Sequence, residues 1–174
     1  MRRRLLVGAA LLAAAGGVGL QWAVRKLDSE GAATRELWAM PLSDLDGKPQ
    51  GLGHWQGQVL VLNFWATWCA PCREEVPALV RIQDKYASNG VQIVGISLDS
   101  AAKVREFAKE FKIQYTLLVG GLETIDYTRK IGNPAAGLPY TVVLSKSGRI
   151  AARHLGGITE AQLDAALTPL VGRS

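Results

Sequence analysis

Cysteine is scarce in this chain, with two residues in 174. So low a count excludes a multi-disulfide scaffold, and a chain of this length needs no such framework to build a core. Histidine is equally scarce, at two, which leaves few donors for a zinc site. A broad excess of one charge sign is also missing. The formal net charge is +5, but the first 30 residues hold five basic side chains against two acidic ones. The other 144 residues carry 15 basic and 13 acidic side chains and are nearly balanced. Binding to nucleic acid by counterion release needs a dense basic face, and no such stripe occurs, so no nucleic-acid partner is expected. There is no internal repeat, and no second long apolar run that would indicate a polytopic membrane protein. What remains is 48% apolar and 20% charged, the composition of a chain that packs a core.

The one long apolar run is residues 5–24, LLVGAALLAAAGGVGLQWAV, preceded by Arg2, Arg3 and Arg4. As a helix, 20 residues span roughly 30 Å, the hydrocarbon thickness of a bilayer. The arginines should stay in the cytoplasm, which places the rest of the chain outside it. Ala13-Ala14-Ala15 offers small residues of the kind a signal peptidase accepts. The run continues past them to Trp22, Arg25 and Lys26, which favours an uncleaved anchor in the cytoplasmic membrane over a cleaved signal peptide. The expected organisation is a signal anchor or signal peptide over 1–27, a linker over 28–36 and a domain over 37–174.

Within that domain strands and helices alternate. Gln58–Trp65 is a nearly continuous apolar run, as suits a central strand covered on both faces. A helix should start near Cys69 and stop near Asn89-Gly90, with Pro77 inside it. Val91–Leu98 is a second buried strand, followed by a helix capped by Ser100 and reaching Phe111. A short strand near 115–119, a helix over 122–131, a hairpin across Lys146-Ser147-Gly148 and a helix from Thr159 complete the series. Asp46-Gly47 marks a further turn between short segments over 37–52. This pattern predicts an α/β fold, a mixed sheet with helices on both faces.

The chemistry concentrates at Cys69 and Cys72, where a strand runs directly into a helix. In the first helical turn the two thiols can approach within disulfide range. Backbone N–H groups and the helix dipole favour a thiolate at Cys69, making it both a nucleophile and a good leaving group. Cys72, one turn in, is placed to resolve a mixed disulfide. Pro71 is tolerated early in a helix because its missing N–H needs no partner there. A purely stapling disulfide is a competing reading, but so short a loop gains only roughly 2 kcal/mol. Zinc needs more ligands than His54 and His154 supply at metal-type spacing, and attachment of c-type haem needs histidine where Arg73 stands. No metal site is expected, and both histidines read as surface or packing residues.

The segment Phe64-Trp65-Ala66-Thr67-Trp68-Cys69-Ala70-Pro71-Cys72-Arg73-Glu74-Glu75-Val76-Pro77 resembles the thioredoxin superfamily. Within it, the chain is most similar to the membrane-anchored, extracytoplasmic TlpA/ResA-like thiol–disulfide oxidoreductases. The resemblance covers roughly residues 37–172. It implies a three-layer thioredoxin-like fold with an N-terminal hairpin over 37–52 and an αβ insertion over 100–119. It identifies Gly137-Leu138-Pro139-Tyr140-Thr141 as a cis-proline segment, with Leu138–Pro139 the cis bond. It further implies that Trp68, Ala70, Pro71, Leu138 and Pro139 bind the partner chain, and that the redox-active disulfide Cys69–Cys72 serves in place of any cofactor. Cytoplasmic thioredoxins carry a buried aspartate where this chain has Asn63. The ResA-like branch instead places a glutamate three residues after the second cysteine, here Glu75, which can shuttle protons if partly buried.

The resulting expectation is a periplasm-facing oxidoreductase that reduces disulfide-bearing proteins. Cys69 attacks, Cys72 resolves, and a membrane thiol carrier supplies electrons. The resemblance places such reductases in cytochrome c maturation or in keeping metal-site cysteines reduced. A thiol peroxidase and a copper-delivery protein are the alternatives. The first lacks the Pro-x-x-x-Thr-x-x-Cys pattern, because Thr67 stands two residues before Cys69, and the second lacks a third soft ligand near the pair.

Overall fold

The strand that organises the domain, β1 (Val59–Trp65), is buried along its whole length. Its β-branched and aromatic side chains suit a pleated position covered on both faces. In the computed structural model, which describes residue 21 and residues 31–172, the chain divides into Met1–Ala33 and Thr34–Ser174. The second unit carries the sheet. The apolar run over 5–24, apart from residue 21, lies outside the described residues. Among those described, no helix is long and apolar enough to cross a membrane.

Among the described residues, five strands lie in the order β3-β2-β1-β4-β5. They are β1, β2 (Val91–Ser97), β3 (Thr116–Val119), β4 (Tyr140–Leu144) and β5 (Ile150–Leu155). β1 pairs parallel with β2, and β2 with β3, while β4 runs antiparallel to both β1 and β5. Parallel neighbours need crossovers, and the helices supply them. α1 (Ala70–Tyr86) connects β1 to β2, and α2 (Ala101–Glu110) connects β2 to β3. α3 (Thr124–Lys130) leads toward β4, and α4 (Glu160–Val171) closes the chain. The mixed α/β sheet and its order are those of a thioredoxin-like fold, with α2 and β3 forming the expected insertion.

Strand alternation sorts the two faces. Val59, Val61 and Trp65 of β1 share a core with Val76, Leu79 and Ile82 of α1, Val104 and Phe107 of α2, and Leu163 and Leu167 of α4. Asn63 belongs to this face. Phe64 faces the other way and stacks on Tyr140, whose hydroxyl donates to the Ile131 carbonyl just past α3. At Gly95 of β2, an added Cβ would lie 2.7 Å from Leu117 and 3.1 Å from the Trp65 ring. The missing side chain is what lets Trp65 lie across the strand.

Several local expectations are refined. Residues 31–36, expected as linker, are helical; Ala32, Ala33 and Glu36 are good helix formers, and Leu37 beside them is fully buried. The hairpin over 37–52 is a tight turn closed by one bridge between Ser43 and Pro49. Pro49 has no N–H with which to extend the ladder. Ser43 also exchanges hydrogen bonds with Val119 and so covers the β3 edge. Ser100 holds the N-cap position of α2, but its side chain makes no capping bond. Gly90, in the left-handed region at φ 73°, ends the 3-10 turn that follows α1.

Thr159 does cap α4. Its side chain accepts from the Gln162 N–H while the Gln162 side chain accepts from the Thr159 N–H, a complete capping box. Thr159→Ala should therefore lower stability by about 1 kcal/mol. In urea denaturation the midpoint should fall with no change in slope, whereas an unchanged midpoint would show that water replaces the cap.

Candidate active site

β1 ends at Trp65 and α1 begins at Ala70, so residues 66–69 form a short, tightly held connection. The Thr67 N–H donates to Asp99 Oδ2 at 2.7 Å, and the Cys69 N–H to the Ala66 carbonyl at 3.2 Å. Asp99, whose side chain is only 7% exposed, is itself set by its N–H donating to Ser97 Oγ. Cys69 takes the extended N-cap conformation, with Pro71 just inside the helix and no acidic residue in the first turn. The positive end of α1 therefore points at Cys69 unopposed, which favours its thiolate.

Cys69 and Cys72 are joined in a disulfide, with their Cα atoms 5.3 Å apart. Both cysteines are buried, Cys72 more deeply. Around them Ala70 and Pro71 are exposed, and Trp68 is 66% exposed.

The Leu138–Pro139 peptide bond is cis, and Leu138 packs against the core cluster that contains both cysteines. A residue not singled out in the sequence builds this loop. Fully buried Asn133 donates through Nδ2 to the Gly137 carbonyl and accepts the Gly137 N–H on Oδ1. The Pro139 carbonyl then accepts from the Gly156 N–H at 2.9 Å. Next in the chain is Gly157, where an added Cβ would stand 3.8 Å from the Pro71 carbonyl oxygen. The turn at 156–158 thus joins the cis-proline loop to the cysteine helix.

Glu75, one turn beyond Cys72, is 4% exposed, whereas its neighbour Glu74 is exposed. Its Oε1 accepts from Asn63 Nδ2 at 2.8 Å, and its Oε2 accepts from the Ile158 N–H at 2.9 Å. Asn63 Nδ2 donates in addition to Thr141 Oγ1, the residue opposite it on β4. Burial raises the Glu75 carboxyl from 4.5 to about 7, against the opposing effect of these two donors. Tyr115 is pushed above the usual phenol range, first by its own burial and then by the Glu75 charge.

Asp99 and Asn133 were missed because their partners, Thr67 and Gly137, are known only from the fold. The signals available were weak: an aspartate just after a buried strand, and an Asn-Pro pair ahead of the Gly-Leu-Pro segment. Of the two histidines, His54 is exposed and His154 half-buried on β5.

A two-cysteine disulfide at the mouth of a helix, in a sheet of this order, defines a thioredoxin-like thiol–disulfide oxidoreductase. The chain belongs to the Redoxin family, whose model matches residues 28–167. It is 30% identical over 124 residues to a thiol–disulfide oxidoreductase ResA of Bacillus cereus, covering 71% of this chain and 69% of that one. Among solved structures, it resembles a thiol:disulfide interchange protein of the thioredoxin family from Chlorobium tepidum TLS. That match has 29% identity and a TM-score of 0.66, covering 76% of this chain and 94% of the other. A secreted thiol–disulfide isomerase from Corynebacterium glutamicum matches at 30% identity and a TM-score of 0.66, covering 75% and 82%.

Glu75 has a consequence for stability. Between about 4.5 and 7 the folded protein holds a proton that the unfolded chain has released, so stability falls as pH rises through that window and levels off above it. Glu75→Gln removes this dependence. Its hydrogen bonds can be kept if the Asn63 amide turns over to accept from the new side-chain NH2. Relative to the native oxidised protein, the variant should gain stability between pH 5 and pH 8, by on the order of 3 kcal/mol. Chemical denaturation at the two pH values measures the change, and an equal difference at both would show that Glu75 ionises as an ordinary carboxylate.

Proposed function

We propose that the protein reduces disulfides in partner proteins outside the cytoplasm, with Cys69 as nucleophile, Cys72 as resolving thiol and Glu75 as proton acceptor. The observation that carries this reading is the Cys69–Cys72 disulfide at the N-terminus of α1, backed by a buried carboxyl group with a pKa near neutrality. The Cys69 thiolate attacks one sulfur of the partner disulfide, and the other partner sulfur leaves as a thiolate. A mixed disulfide now joins Cys69 to the partner. Cys72 gives its proton to the Glu75 carboxylate and attacks the Cys69 sulfur, releasing the second partner thiolate. Two electrons have passed to the partner, and the protein is left in the disulfide form. A base near pH 7 is well matched to a thiol proton, because it accepts the proton without holding it permanently.

Exposed Trp68, Ala70 and Pro71, with Leu138 and Pro139 across from them, form the contact surface for the partner chain in this reading. A membrane thiol carrier returns the protein to the dithiol form. Residues 5–24 tether the domain to the cytoplasmic membrane, or are removed on export. A secreted relative supports the extracytoplasmic setting. The substrate class is a protein disulfide, such as one formed in an apocytochrome c or at a metal-site cysteine pair.

Cys72→Ser removes the resolving thiol and should trap covalent complexes with partners, visible as bands lost on adding reductant. Cys69→Ser should trap none. Equal trapping by both variants, or by neither, would overturn the assignment of roles. The reduction potential of the pair against glutathione tests the direction of electron flow. A value below about −230 mV fits a reductase and one near −120 mV an oxidant.

A further inference from the structure

His154 lies on β5 directly opposite Thr141 of β4, on the face of the sheet that α1 and α4 cover. Its Nε2 is 3.1 Å from the Gly157 carbonyl oxygen. A carbonyl oxygen can only accept, so this contact requires the proton to be on Nε2. The same peptide unit has Gly157 C=O at one end and Ile158 N–H at the other, and that N–H donates to Glu75 Oε2 at 2.9 Å. We infer that His154 is a positioning residue for Glu75, acting through the single peptide between Gly157 and Ile158. This rests on the reading of Glu75 as the proton acceptor and names what sets its behaviour.

Two effects act along that path. The first is geometric. The turn is held by the Gly156 N–H on the Pro139 carbonyl, and Gly156 adopts φ 94°, a conformation other residues resist. His154 fixes the following peptide, and so aims the Ile158 N–H at the carboxylate. The second is electronic. Hydrogen bonds in series polarise one another, so a donor on the carbonyl makes the N–H of the same peptide a better donor. Both effects favour the ionised form of Glu75 and oppose the burial that raises its pKa.

His154 also adjoins the path to the other carboxylate oxygen. Thr141, its neighbour across the strands, accepts from the Asn63 amide that holds Glu75 Oε1. A cavity of about 110 Å³ is lined by Thr141, His154, Ile158 and Gln162 among others, so one small space adjoins both arms of the Glu75 network. Among the described residues, no charged side chain is among the groups that shift the Glu75 carboxyl. Its own helix brings the Cys69–Cys72 pair, and the segment before β3 brings Tyr115, whose raised pKa keeps it protonated. β1 and β4 contribute the neutral Asn63 and Thr141. Arg153, next to His154, donates to the Ile131 carbonyl, on the opposite face of the sheet.

The test follows the Glu75 carboxyl carbon by NMR through a pH titration of the oxidised protein labelled with 13C-glutamate, the signal being assigned by its loss in Glu75→Gln. His154→Phe keeps the bulk of the ring and removes the donor. It should raise the Glu75 midpoint by about half a pH unit. His154→Gln restores a donor and should return the midpoint toward the native value. An unchanged midpoint in His154→Phe overturns the inference, as does a shift in His154→Gln equal to that in His154→Phe. Thiol–disulfide exchange rates across the same pH range separate the two readings. If the Glu75 midpoint moves with residue 154 while the rate profile stays in place, His154 positions Glu75 but Glu75 is not the proton acceptor.

Discussion

Burying a carboxylate is costly unless its oxygens are satisfied, and Glu75 is satisfied by neutral donors, the Asn63 amide and the Ile158 N–H. This sets conditions on parts of the chain far apart in sequence. β1 must present Asn63 on the α1 face, in register with Thr141 of β4. The chain leaving β5 must return at 156–158 to bring a backbone N–H within reach. α1 must run through both Cys72 and Glu75, so that the two lie one turn apart. A register slip of one residue in β1 would turn Asn63 to the other face and leave the carboxylate short of a donor.

The same turn serves the disulfide. Gly156 holds the Pro139 carbonyl, Gly157 stands against Pro71, and Ile158 holds Glu75. The cis-proline loop, the cysteine helix and the proton-bearing group are thereby referred to one short stretch of backbone. Glycine at 156 allows this. Gly156 takes a left-handed φ of 94°. Motion of this turn would disturb all three elements at once.

Much of this was legible in the sequence. The unbroken apolar run of β1, the helix stop at Gly90 and the Thr159 cap are local signals, each read within a few residues. The cysteine pair is equally local, because its chemistry follows from lying where a strand enters a helix. The cis bond at Leu138–Pro139 came from resemblance to a family and not from periodicity. Asp99, Asn133 and His154 were not legible as parts of the site. Each acts on backbone of a loop, and an isolated side chain carries no mark of which backbone it will meet. His154 in particular reads as an ordinary half-buried strand residue until the turn after β5 brings the Gly157 carbonyl to its ring. The helical stretch at 31–36 was masked by its small, polar composition, which suits a linker as well as a helix until Leu37 finds a buried site.

Asn63 shows why the placement of a single ionisable group matters. A carboxylate at this position would stand about as close to Glu75 as the amide does, 2.8 Å. Two carboxylates that close cannot both ionise, and they titrate as a coupled pair with one pKa pushed far up. The amide instead donates to Glu75 and to Thr141 together, which stabilises one charge and introduces no second. The titrating group is thereby confined to the cysteine helix, one turn from Cys72. Moving the carboxylate from the strand to the helix exchanges a group fixed to the sheet for one fixed to the thiols. It also makes the donors around Glu75, and not a second acid, the means by which its pKa is set.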